Sequence, residues 1–275
     1  MDKPEHHDAE ERSAPSSEVV YEAIRSEGEH ELGRTTAALA WSGVAAGLSM
    51  GFSFIAVALL HAHTPAAKWQ PLVTALGYPL GFLIVVLGRQ QLFTENTLTV
   101  VLPFLTGRRA ATLRDVGRVW LVVLAANAVA ALALALVLAK TEAVSHETHE
   151  SMRVVAEHVY RHSFGVTLLR GIFAGWLIAL MVWLLPFAQS ARVAVIAILT
   201  YVIGAAHFPH IVAGTVDAAF LVFTGERSWS ELALTFFVPT LIGNVIGGVV
   251  LVAALNHAQA KPDGEGEAEK LIESP

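Results

Sequence analysis

Four ionisable side chains interrupt stretches of this 275-residue chain that are otherwise apolar enough to lie in a bilayer: Arg89, Glu95, His207 and His210. The first two belong to Gly88-Arg89-Gln90-Gln91-Leu92-Phe93-Thr94-Glu95-Asn96-Thr97, set between apolar runs at 72–87 and 98–105. A charge at bilayer depth costs at least about 2.5 kcal/mol, so this segment faces protein or water, not lipid. Two readings stay open. Arg89 and Glu95 pair and simply pin a loop, or the loop, with Gln91 and the Thr94 hydroxyl, lines a solute path. The second interruption is Gly204-Ala205-Ala206-His207-Phe208-Pro209-His210, where Pro209 removes a backbone donor and breaks the helix. Imidazole titrates near neutrality and serves as donor, acceptor or proton relay. His207, beside the break and a second imidazole, is the expected functional histidine, with His210 as its neighbour. Two histidines three apart share one helix face, but a metal site needs more, and Glu95 and Asp217 are the only acids near midspan. No metal, cofactor or catalytic residue is expected.

The elements that position these groups follow from composition. Hydrophobic residues make up 54% of the chain, charged residues 15%, and the mean hydropathy is +0.55, the profile of a membrane protein. Stretches 35–60, 119–139, 171–191, 193–216 and 232–256 hold no Asp, Glu, Lys or Arg, and each exceeds the roughly 18 residues that a span needs. Stretch 69–106 is a sixth, interrupted one. The expected fold is an all-α membrane protein of six transmembrane helices, an aquaporin-like bundle of two inverted three-helix halves. Three spans per half force the inversion, and paired broken helices at matching positions mark the substrate site of many transporters. Thr94 and His207 are thereby expected to meet near the midplane.

Residues 1–34 and the acidic tail 257–275 carry most of the formal charge of −6 and are expected to be solvated, the first segment disordered; residues 35–256 form the channel domain. Lys and Arg divide 11 to 5 between the two sides of the membrane, which predicts a multi-pass plasma-membrane protein with both termini cytoplasmic. The absence of cysteine excludes disulfides and thiolate metal sites, and without an apolar h-region before residue 35 the first span is expected to be its own insertion signal. Glycines four apart, Gly43/Gly47/Gly51, Gly77/Gly81, Gly171/Gly175 and Gly243/Gly247, predict close helix crossings. His146, His149, His158 and His162 fall in the polar loop 140–163, where residues 152–162 are expected to form a short interfacial helix; His61 and His63 follow the first span.

In these motifs the chain resembles the formate/nitrite transporter family over about residues 35–255. Gly88 with Gln91-Leu92-Phe93-Thr94 echoes the family's Gly-x-x-x-Leu-Phe-Thr element, Gly204-Ala205-Ala206-His207 its Gly-x-x-His, Gly171 its fourth-span glycine, and Asn244-Val245-Ile246-Gly247-Gly248 its Asn-x-x-Gly-Gly. The resemblance implies a pentamer with one pore per protomer, in contact with lipid and binding no nucleic acid, that moves small monovalent anions such as formate, nitrite or hydrosulfide, or their conjugate acids. It further implies that Thr94 hydrogen-bonds the anion or a central histidine, His207, that Leu92 and Phe93 contribute to an apolar constriction, and that Asn244 is among the polar groups behind the histidine. The residue before the histidine, often Glu in formate channels, is Ala206; the fourth-span asparagine is Gly175; and the outer-vestibule lysine falls near Val159. These departures place the chain in a divergent branch. A neutral-solute channel is the alternative, though paired Asn-Pro-Ala motifs are missing, and a divalent-metal carrier or membrane metalloenzyme is a third.

Overall fold

The structure, a computed structural model, describes residues 16–107 and 109–259. Every regular element among them is helical. Helix α1 (Ser17–Gly33) is followed by α2 (Thr36–Ala62), α3 (Gln70–Leu87), α4 (Phe93–Thr99), α5 (Val101–Gly107), α6 (Ala110–Lys140), α7 (His146–Ala156), α8 (Phe164–Leu184), α9 (Arg192–Ala205), α10 (Ile211–Thr224) and α11 (Trp229–Gln259). Five helices, α2, α3, α6, α8 and α11, are long and apolar enough to cross a membrane; the shorter apolar α9 and α10 follow one another across the break at 206–210. Trp41, Leu76, Leu121, Ile198 and Leu234 point outward from this bundle, as apolar groups facing lipid or a neighbouring protomer do.

Local chemistry sets the ends. Thr35 caps α2 by accepting from the Ala38 amide, Ser145 caps α7 through Thr148, and Ser228 with Glu231 forms a capping box on α11, each satisfying amides that have no partner inside the helix. Gly225 at φ +89° closes α10 in the left-handed conformation.

Packing is organised by the small-residue faces. Gly43 and Gly47 on α2 lie against Ala126, Asn127 and Ala130 on α6, and Gly171 and Gly175 on α8 lie against Gly243 and Asn244 on α11. A Cβ at Gly175 would overlap the Asn244 backbone, so the glycine standing where an asparagine was expected is what lets α8 and α11 touch. One half thus packs its first long span on its third, and the other half its fourth on its last.

Two expectations change here. Residues 17–33 were expected to be disordered, yet α1 is a regular helix whose Ile24 and Tyr21 are buried against the bundle; its apolar positions supply a docking stripe that composition alone conceals. The interfacial helix begins at His146, not 152, because Ser145 is its cap, and residues after Ala156 continue as a tighter 3₁₀ turn, Glu157–Tyr160. Residues 1–15 and 260–275, which include most of the acidic tail, lie outside the described residues.

Candidate functional site

Both interruptions are helix breaks with the same backbone. Helix α3 ends with Gln90 N–H donating to Val85 O, and α9 ends with Phe208 N–H donating to Ile203 O, the six-residue closure of a Schellman turn. Each turn needs one residue in the left-handed region, and those are Arg89 and His207, both at φ +50°. Three residues on, the chain is extended at Leu92 (φ −105°, ψ 127°) and at His210 (φ −111°, ψ 128°), and these two residues cap α4 and α10.

Each break is held by one asparagine. Asn127 on α6 accepts from Phe93 N–H (3.0 Å) and donates to Gln91 O (2.9 Å) and Gly43 O (2.8 Å). Asn244 on α11 accepts from Ile211 N–H (2.8 Å) and donates to Pro209 O (3.0 Å) and Gly171 O (2.8 Å). Non-helical backbone survives at membrane depth only when its polar groups are satisfied within the protein, and both side chains are fully buried. The matching register makes Arg89 the counterpart of His207 and Leu92 the counterpart of His210. Asn127 was not singled out from the sequence, although it is the lone hydrogen-bonding polar side chain, apart from the indole of Trp120, in the stretch 119–139.

The expected meeting of Thr94 with His207 does not occur. Thr94 Oγ1 lies 2.7 Å from Nε2 of His210, and both residues are buried. His210 occupies the cap position that turns inward, whereas His207 sits in the Schellman turn that faces out. His210 Nδ1 accepts from Ala213 N–H at 3.2 Å. That nitrogen therefore carries a lone pair, and a single ring proton belongs on Nε2, from which it is donated to Thr94 Oγ1. The Phe82 ring meets the imidazole edge-to-face at 5.0 Å between centroids. The residue preceding this histidine is Pro209, not Ala206.

The remaining expected residues divide as follows. Asn244 backs the break beside His210. Leu92 and Phe93 are buried, Phe93 against Trp120 (5.8 Å), and neither lines either of the two cavities described below. Arg89 pairs with Glu27 of α1 at 2.6 Å and not with Glu95; its left-handed backbone directs it away from the following helix. Gln91 donates to Glu31 (2.8 Å) and accepts from Asn96 (3.0 Å). Glu95 lines a cavity of about 340 Å³ with Glu27, Glu31, Arg89, Gln90 and Arg192. On the other side of the Thr94–His210 contact a smaller cavity of about 80 Å³ has His210 in its wall and is bordered by His207, His158 and Asp217.

His207 stacks on His158 of the connecting segment, with centroids 4.1 Å apart and planes 13° apart. Burial, with His207, Arg161 and His61 nearby, pushes His158 down to about 4 from 6.5. Above about pH 6.5 the docked and detached segments are both neutral and the packing contributes in full. Between about 6.5 and about 4 the detached segment binds a proton that the docked one refuses, so docking weakens as pH falls. In nanodiscs the protection of amides 146–160 against hydrogen exchange, relative to their intrinsic rates at each pH, is expected to fall as pH drops through that interval in the wild type and much less in His158→Phe. Equal protection in both would show that the stack does not hold the segment.

An all-helical bundle with paired breaks, each clamped by an asparagine on a neighbouring span, is the framework of a membrane transport protein. Two solved structures share the overall fold: an FNT family ion channel (TM-score 0.76, 17% identity, 88% of this chain and 99% of that one) and a pentameric formate channel with formate bound (TM-score 0.67, 19% identity, 86% and 98%). The profile of the formate/nitrite transporter family matches residues 17–258, and the chain belongs to that family. Among its relatives are the inner membrane protein YfdC of Escherichia coli strain K12, 38% identical over 92% of this chain and 82% of that protein, and the formate channel BtFdhC of Bacillus thuringiensis, 28% identical over 86% and 92%. It is therefore a multi-pass membrane channel or transporter, not an enzyme.

Proposed function

We propose that this chain conducts small monocarboxylate-sized weak acids or their anions, of the formate, nitrite or hydrosulfide class, through a pore within each protomer. The observation that carries the reading is the 2.7 Å contact between Thr94 Oγ1 and His210 Nε2, lying between an outer and an inner cavity and flanked by the Phe82 ring. His210 and not His207 is the central histidine of this pore. Its proton on Nε2 is donated to Thr94, which leaves the Thr94 hydroxyl hydrogen for an oxygen of the cargo. Moving a bare anion past Phe82 and the buried Leu92 is costly, whereas the neutral acid crosses far more readily, so protonation accompanies passage. Protonating His210 itself would break its bond from Ala213 N–H, which couples any full proton transfer to an opening of the break.

Six membrane crossings, with α3–α5 and α9–α10 as the two broken ones, cytoplasmic termini and a homopentamer complete the reading, supported by the inverted register of the breaks, the 11-to-5 division of basic residues and the pentameric fold relative. Proteoliposomes challenged with formate, nitrite, hydrosulfide, acetate, urea and glycerol test it. Uptake of at least one of the small acids, with urea and glycerol excluded, is expected. Flux of neutral solutes alone would replace this reading with a neutral-solute channel.

A further inference from the structure

The outer cavity is lined by imidazoles and one carboxyl rather than by fixed cations. Its titratable lining consists of Tyr78 from α3, His158 and His162 from the segment before α8, His207 and His210 from the second break, and Asp217 from α10; no Lys, no Arg and no second carboxylate lines it. Asp217 stands two helical turns beyond His210 in α10, and residues seven apart lie on nearly the same helix face, so both side chains serve one cavity. Among the described residues no side chain and no cation bonds the Asp217 carboxylate. Two arginines stand close without lining the cavity: Arg170 donates to the carbonyls of Ala206 (2.5 Å) and His207 (3.3 Å), Arg161 is exposed, and the charge of both reaches the lining imidazole of His162. The imidazoles offset the carboxylate little. Both His158 and His162 are held below their ordinary values by burial first and then by neighbouring positive charge.

A carboxyl inside a membrane-spanning helix marks a solute or proton path by default. In a narrow cavity with low-dielectric walls, lining charge of one sign changes the local concentration of permeant ions by roughly tenfold or more. We infer that Asp217 is a charge-selecting residue of the outer vestibule, turning away permanent anions and admitting the uncharged weak acid, so that the cargo reaches His210 already protonated. The inference rests on the weak-acid reading above and adds the species that enters. It also agrees with the tautomer at His210, which presents a neutral ring to the cavity.

Formate uptake by proteoliposomes of the full-length protein, at about pH 5 and about pH 7.5 with total formate constant, tests it in wild type, Asp217→Asn and Asp217→Glu. Wild-type uptake is expected to rise steeply with acidity, following the neutral acid. Asp217→Asn is expected to raise uptake at the higher pH by roughly tenfold and to leave uptake at the lower pH within about twofold, since a neutral species does not feel the lost charge. Asp217→Glu, which keeps the charge, is expected to follow wild type. Equal uptake by Asp217→Asn and wild type at the higher pH overturns the inference and leaves the weak-acid reading intact. So does Asp217→Glu matching Asp217→Asn, or a loss of function in Asp217→Asn alone. Wild-type vesicles inert toward every small acid overturn the reading and the inference together.

Discussion

Proteoliposomes carrying His210→Ala are expected to take up formate about thirty- to a hundredfold more slowly than wild type, and His207→Asn less than about threefold more slowly. The larger effect follows from the geometry of the Thr94–His210 contact in the proposed pore. Removing the imidazole deprives Thr94 of its buried partner at 2.7 Å; a buried group left without its hydrogen bond costs about 1–3 kcal/mol, and each 1.4 kcal/mol or so is a factor of ten in rate. His210 also caps α10 through Ala213 N–H, so part of a loss in the alanine variant could reflect a frayed helix end, worth about 1 kcal/mol. The variant His210→Asn separates the two, because it keeps a capping acceptor but cannot reach Thr94. Thr94→Val is expected to match it and Thr94→Ser to retain most activity, with the double variant no worse than either single one, as for two residues acting as a unit. His207→Asn is the suitable comparison because asparagine tolerates the left-handed backbone that His207 adopts at φ +50°. If His207→Asn abolishes uptake while His210→Asn does not, the assignment of the central histidine is reversed.

The second large effect is on stability. Asn244→Ala removes three buried hydrogen bonds, to Ile211 N–H, Pro209 O and Gly171 O, and Asn127→Ala removes the three equivalent bonds to Phe93 N–H, Gln91 O and Gly43 O. Unsatisfied backbone groups cost about 1–3 kcal/mol each, but side-chain bonds within helix bundles average nearer 0.6 kcal/mol because the unfolded chain in lipid finds other partners. A net loss of about 2–4 kcal/mol is expected for each variant. The matching hydrogen bonds of the two breaks make the losses alike, within about 1 kcal/mol. Thermal melting in detergent micelles checks it. A variant in one half that melts like wild type, while its counterpart in the other half collapses, would mean that the two clamps are not equivalent.

The breaks were legible in the sequence because they violate the pattern around them. Gly88 to Thr97 and Gly204 to His210 are polar or helix-breaking islands in apolar runs, and no lipid-facing helix accommodates them. Their place in the second span of each half carried the inversion, and the motifs around them carried the family. The crossings at Gly43/Gly47 and Gly171/Gly175 were equally readable, since small residues four apart can only serve close approach. Asn127 could have been found by the same rule that exposed the breaks. It was overlooked because one uncharged residue barely changes the hydropathy of its span.

What the sequence by itself determined is therefore a helical membrane protein with two breaks that need buried partners, and its family. Which imidazole meets Thr94 was decided only by tertiary structure. His207 and His210 stand three residues apart beside one proline, and local sequence favours neither. The choice falls on His210 because the helix end closes as a Schellman turn that consumes position 207, just as it consumes Arg89 in the other half. The chain then extends until Asn244, from a distant span, fixes Ile211 and Pro209. The same long-range packing carried Arg89 to Glu27 rather than to Glu95 and brought Asp217 into a vestibule without basic lining. Such contacts join residues tens to hundreds of positions apart, and they depend on how helices stack, which no single stretch of sequence encodes.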